Sequence, residues 1–218
     1  VIFNGLGAVS KSHTVMLDMP PVYDSAYEGR LWVDSGEELS FMINPNVGYE
    51  KSEDFCVVTS DSALNEENKS IEPDGAGWYR INNINKPLAI SVYGVVPLAS
   101  VSVDSSELDG GEFTASVDNT GGEGNAEAET LHNPDTIEGV SRKGSIILDV
   151  KAKDDKEFYA APEVTVNDSE ASVTKMSDAD GHYIYKVSGI SDGLIISVKG
   201  QIIRDISNSE IYINSTGH

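Results

Sequence analysis

Cysteine is almost missing from this chain. Cys56 is the only one among 218 residues, which excludes an intrachain disulfide and any cysteine-built zinc cage. Positive charge is also scarce: 15 Lys and Arg stand against 36 Asp and Glu, a formal charge of −21. That balance repels a phosphate backbone, and no Lys/Arg cluster offers a local exception, so nucleic acid is not an expected partner. An anionic membrane surface is disfavoured for the same reason. No apolar run approaches the roughly 18 to 20 residues of a spanning helix, so no membrane insertion is expected within these residues. The chain opens on Val1 without an initiator methionine, as it would after removal of a signal peptide or preceding domains, or after trimming.

Helical patterning is missing as well. No segment keeps a 3.6-residue apolar period for three turns, and the Ala/Glu stretch GEGNAEAETL is short and Gly-flanked. The motifs of common chemistries are absent too: there is no Gly-x-Ser-x-Gly elbow and no G-x-x-x-x-G-K-[ST] loop to cradle phosphate. His13, His132, His182 and His218 are scattered, with no pair spaced to aim two rings at one metal. The sequence therefore leads us to expect no catalysis, no cofactor and no metal centre.

What is present is a repeat. Residues 74–94 read DGAGWYRINNINKPLAISVYG, and residues 180–200 read DGHYIYKVSGISDGLIISVKG, an offset of 106 positions (180 − 74). In the first copy Tyr79 and Ile81 alternate with Trp78, Arg80 and Asn82, which is a strand with one buried face. In the second copy Tyr183, Tyr185 and Val187 take the inward parity. Ile90 and Val92, then Ile196 and Val198, supply a following strand in each copy. Asp74-Gly75 and Asp180-Gly181 stand before the first strand, where Gly can supply the positive φ of a tight turn.

Further strands are expected at 14–18, 30–34, 39–43 and 55–59 in the first half. In the second half they are expected at 101–104, 113–117, 136–140, 146–150 and 164–167, each bounded by Gly, Pro, Asn, Asp or Ser. Regular short strands without helices predict an all-β chain of two tandem antiparallel β-sandwich domains, 1–97 and 98–218. The second carries an acidic, Gly-rich insertion at 118–135, expected to be a long loop that is mobile across 121–128. The 18 residues after Gly200 read as one further strand of that unit or the start of a third.

The spacing Tyr79-x-Ile81-x-Asn83-Ile84, five residues, Ile90-x-Val92-x-Gly94 recurs as Tyr185-x-Val187-x-Gly189-Ile190, five residues, Ile196-x-Val198-x-Gly200. It resembles the closing strands of Big-type immunoglobulin-like repeats in bacterial cell-surface proteins, over about twenty residues per copy. The resemblance implies two immunoglobulin-like sandwiches outside the cell, attached to its surface and serving as stalk, spacer or adhesive segment. It implies a cell-surface or extracellular protein or glycan as partner. The chain departs from antibody domains in lacking their Cys…Trp…Cys core, and no sorting signal or lipid-anchoring motif lies within it.

Among individual side chains, Trp32 and Trp78 matter most. Both sit at the parity opposite the apolar positions, Trp78 together with Arg80, so both rings are expected to face outward. Trp32, Trp78 and Arg80 are therefore the candidate ligand-binding residues, with Tyr23, Tyr27 and Tyr49 able to enlarge the surface. Carbohydrate-binding sandwiches use such rings as stacking platforms; the alternative is that a loop or neighbouring domain covers them. Asp178, Asp180 and Asp192 partly resemble the opening of an acidic calcium loop but lack its closing bidentate Glu. Cys56, at the parity of Val58, is expected to be a small buried hydrophobe.

Overall fold

The computed structural model describes residues 2–4, 12–18, 22–23, 31–61, 69–120, 130–154 and 156–203, the side chains of 2–4, 22–23, 31–32, 61 and 69 excepted. Every regular element among them is a strand. The first half runs β1 (Ile2–Asn4), β2 (His13–Leu17), β3 (Val22–Tyr23), β4 (Leu31–Trp32), β5 (Leu39–Pro45), β6 (Tyr49–Asp61), β7 (Lys69–Ile71), β8 (Tyr79–Ile81) and β9 (Leu88–Pro97). The chain continues through β10 (Ala99–Asp104), β11 (Leu108–Asp109), β12 (Gly111–Asp118), β13 (Thr130–His132) and β14 (Thr136–Val140). It closes with β15 (Ser145–Ala152), β16 (Glu163–Val166), β17 (Ser172–Ala179), β18 (His182–Ser188) and β19 (Ile195–Gln201). The chain is all-β, and its sheets are mostly antiparallel and sandwich-like.

Two compact units result. The first is drawn from Val1–Ala99, Asp118–Ala128 and Glu138–Gly144, the second from Ser100–Val117, Glu129–Ile137 and Ser145–His218. In the first unit one sheet has the order β1-β9-β6-β7 and another β2-β5-β8. Both contribute to a single core: Leu39, Phe41, Ile43 and Tyr79 come from one sheet, Val57 and Ile90 from the other, with Ile84 between strands. Phe41 and Tyr79 are cross-strand partners whose rings stack with centroids 5.3 Å apart. Burying side chains of this size contributes about 1.5–3 kcal/mol each against leaving them in water.

The second unit repeats that plan. One sheet orders β11-β19-β10-β14 with β16 on the other edge of β19, and the second orders β13-β12-β15-β18-β17. Alternation dictates the buried face: Val101 and Val103 on β10, Ile146, Leu148 and Val150 on β15, and Tyr185 and Val187 on β18 all point inward. The register sets Leu148 opposite Tyr185 and Ile146 opposite Val187. In both units the first strand pairs parallel with the last, Ile2–Asn4 against 89–91 and Ser102 to Asp104 against 195–197. In both, a triple joins the second or third, the fifth or sixth, and the penultimate strand, β2-β5-β8 and β12-β15-β18. Among the described residues the sheet edges differ: β7 joins β6, whereas its counterpart β17 joins β18, and the β3–β4 pair of the first unit and β11, β13 and β14 of the second have no equivalent in the other.

A buried carboxylate belongs to the first unit. Glu50, 2% exposed, accepts bonds from Ser141 Oγ at 2.6 Å and Arg142 Nη1 at 2.6 Å, and from the Arg142 backbone N–H at 3.1 Å. Arg142 Nη1 also donates to the Pro97 carbonyl at 2.8 Å, and Asn119 braces the segment by accepting from Ser141 N. A buried charge needs such partners to offset its desolvation.

Several expectations need correction. The strand expected at 30–34 is only Leu31–Trp32, because a turn with Gly36 at φ +91° follows within a few residues. In the first repeat the positive φ lies at Gly77 (+86°), whereas in the second Asp180 (+55°) and Gly181 (+77°) both adopt it. Cys56 does not share the buried parity. Val57 is the fully buried residue, and Cys56, half-buried, opposes Tyr93 on the other face, because Phe55 and Val57 take the apolar parity of β6 toward the core. Within 118–135, Thr130–His132 forms a strand against 114–116, and residues 121–128, expected to be mobile, lie outside the described residues.

Candidate functional site

The surface around Trp78 is built by the turn that precedes β8. Asp74 Oδ1 accepts from the backbone N–H of Ala76 and of Trp78, both at 2.9 Å, and Gly77 N donates to the Asp74 carbonyl at 2.9 Å. The Asp74 N–H in turn donates to the Trp78 carbonyl at 2.8 Å. These four bonds fix the backbone of Trp78, whose side chain is half-buried. An Asp is needed here because a short carboxylate can reach its own following amides.

Arg80 is exposed and lies across from Ser40 in the β5–β8 ladder. Its Nη1 donates to Glu38 Oε1 at 3.1 Å and to Ser40 Oγ at 3.3 Å, and its Nε to Asp74 Oδ2 at 3.3 Å. The guanidinium thus ties the turn to the neighbouring strand. The amide bonds from Trp78 and Ala76, followed by the Arg80 contact, hold the Asp74 carboxyl below its ordinary pKa, and the bonds to Asp74 and Glu38 raise that of Arg80. Chemically the cluster presents a fixed set of donors and acceptors on Asp74, Glu38, Ser40 and Arg80, two positions along the chain from the half-buried Trp78. Trp32 pairs through its backbone with Val22; its side chain, like that of Tyr23, is outside the described set, as is Tyr27 altogether. Tyr49 is half-buried on β6 opposite Pro97.

Asp178, one of the calcium candidates, bonds Lys175 Nζ at 2.8 Å, which lowers its pKa, and among the described residues no three His, Cys, Asp or Glu side chains gather as metal ligands. His13 is buried, and desolvation lowers its pKa; His182 Nδ1 lies 2.9 Å from Asp149 on an exposed face.

A concave surface in the second unit escapes any sequence reading. It is an open groove of about 340 Å³ at the C-terminal end of β19. Tyr159, 82% exposed, stands on it, while its neighbour Phe158 is buried and faces Tyr183 edge-on at 5.8 Å. Lys199 reaches Glu107 at 2.9 Å, a contact that raises the lysine pKa. The contributors come from three separate stretches of chain, and Tyr159 sits in DDKEFYAAP without alternation to mark it.

No protein-family model matches the chain, and no curated protein is detectably similar to it.

Proposed function

We propose that this chain is a non-catalytic structural or adhesive segment, a stalk or spacer made of two tandem immunoglobulin-like sandwiches, in a secreted bacterial cell-surface protein. The observation that carries this reading is the duplicated strand plan: parallel pairing of first and last strand, and a corresponding strand triple, occur twice in one chain. Duplicating a domain lengthens and multiplies a display element. The strongly acidic surface keeps such a segment dispersed. Its partners are extracellular proteins or glycans.

Antibodies against residues 1–218, applied to intact cells of the producing organism, test the location, and an exchange tests the role. Surface labelling, loss of display on deletion, and its recovery when an unrelated pair of sandwich domains is substituted support the spacer. Labelling only after lysis refutes the location. Failure of any substitute domain to restore function refutes the passive role.

A second reading, a carbohydrate-binding module, draws on the stretch at Trp78, where Arg80, Asp74, Glu38 and Ser40 form a polar cluster two positions along the chain from the half-buried tryptophan. Aromatic area with oriented polar groups is the general recipe for a small-ligand surface. Glycan binding lost in Trp78→Ala at unchanged melting temperature would favour it.

A further inference from the structure

We propose that the groove beside Tyr159 is a saccharide-binding site that takes a neutral sugar ring against the face of the phenol. The inference goes beyond the spacer reading and is independent of the Trp78 surface, which lies in the other unit.

The tyrosine is held where a ligand can use it. Its backbone N–H donates to the Gln201 carbonyl at 2.8 Å, and Ile203 N donates to the Glu157 carbonyl at 2.8 Å, so the stretch that ends on the ring is tied to the chain at the end of β19. Phe158 anchors the same segment inside, pairing with Ile202. Farther along, the buried Tyr185 hydroxyl donates to the Pro162 carbonyl. A large ring kept 82% exposed on a backbone this constrained is a presented surface rather than a flexible tip.

The floor next to it is formed by Ala160 and Ala161, whose small side chains leave room for a ring, and by Gly200. At about 340 Å³ the groove lies at the lower end of the range for small-molecule clefts, about 300–1,000 Å³. Its rim carries acceptors, Glu107, Asp109 and Glu163, and donors, Lys199 and Gln201.

That mixture selects the ligand. A sugar hydroxyl both donates and accepts, so it needs both kinds of partner, and its ring C–H face needs an aromatic or small apolar floor. A cationic ligand would use acceptors alone and leave the rim's donors, Lys199 and Gln201, without a role. An anionic sugar would meet three carboxylates in a chain of net charge −21. The neutral polyol is the class that uses the rim's donors and its acceptors together.

The whole chain is applied to an array of neutral, amino and sialylated oligosaccharides, and to a tetralysine peptide. The neutral oligosaccharide that binds best is then titrated calorimetrically into wild type, Tyr159→Ala, Tyr159→Phe and Trp78→Ala. We expect binding to neutral sugars, weakened about tenfold or more in Tyr159→Ala at unchanged melting temperature, because the ring is exposed. Tyr159→Phe keeps the stacking face and stays within about threefold; Trp78→Ala binds as wild type. No neutral sugar bound, or preference for the sialylated sugars or the tetralysine peptide, overturns the proposal. So does binding that survives Tyr159→Ala and disappears in Trp78→Ala, an outcome that would leave the carbohydrate reading at Trp78 standing.

Discussion

Asn83 and Gly189 hold the same left-handed backbone conformation at equivalent places in the two repeats, with φ of +55° and +76°, and each is followed by a buried isoleucine, Ile84 and Ile190. The chain leaves the penultimate strand, reverses hand for one residue, and drives the next side chain into the core. Asn and Gly are the residues that tolerate this region.

Gly189→Ala should destabilise the protein by about 1–3 kcal/mol, since an added Cβ would meet the Glu170 carbonyl oxygen at 2.6 Å at a positive φ. Asn83→Gly should change stability by no more than a few tenths of a kcal/mol, roughly the difference between two tolerated residues. Urea unfolding measures both. A neutral Gly189→Ala would remove the strain argument.

Tyr79 and Tyr185, 4% and 5% exposed, should each cost about 3–5 kcal/mol on replacement by Ala. Tyr185→Phe should cost about 1–2 kcal/mol, because the buried Pro162 carbonyl loses its donor. Thermal denaturation distinguishes these losses, and a Tyr185→Phe protein as stable as wild type would mean that the hydroxyl has no net role.

Glu50 and Arg142 are 92 positions apart yet share a 2.6 Å ion pair. Glu50→Ala should destabilise by about 3 kcal/mol, and the cycle with Arg142→Ala should show a coupling of about 1–2 kcal/mol, moderated because the Arg142 side chain is 27% exposed. Additive effects would mean that residues 138–144 do not complete the first unit.

Acid should weaken the protein through identifiable groups. Asp74, Asp104, Asp168 and Asp178 all have lowered pKa values in the fold, chiefly from the hydrogen bonds that they accept. Their stabilisation is present above the unfolded carboxylate pKa of about 4 and is lost as pH falls through the lower folded values. The buried His13, lowered by desolvation, works in the same direction below about pH 6.5. Relief of the −21 charge on approaching the pI near 4.3 acts oppositely, so the steep loss is expected below about pH 4. Urea midpoints from pH 7 to 2.5 should show it, with a shallower acid limb in Asp74→Asn. An unchanged limb in that variant would dismiss Asp74 as a contributor.

Strands with one apolar face were legible because alternation survives in the sequence: 101–104, 113–117 and 146–150 all lie within observed strands. β17 was not, because it is an edge strand whose side chains are mostly exposed, so no apolar period marks it. Cys56 was assigned to the wrong face because both parities of FCVVT carry apolar residues, Phe55 and Val57 on one and Cys56 and Val58 on the other; Val57, not Cys56, enters the core. The Trp78 surface was visible as parity, but the bonds of Arg80 to Glu38 and Ser40 span about half the unit's sequence and needed the ladder to reveal them. The Tyr159 groove left no local signal, since its rim is assembled from 107–109, 159–163 and 199–201.

The central claim is that one strand plan occurs twice, and its signature is the pairing of each unit's first strand with its last. Solution NMR of the whole chain, read for interstrand backbone NOEs, tests it most directly. We predict parallel-type contacts of residues 2–4 with 89–91 and, independently, of 102–104 with 195–197. An antiparallel pattern at either place, or contacts at one and not the other, would contradict the duplication.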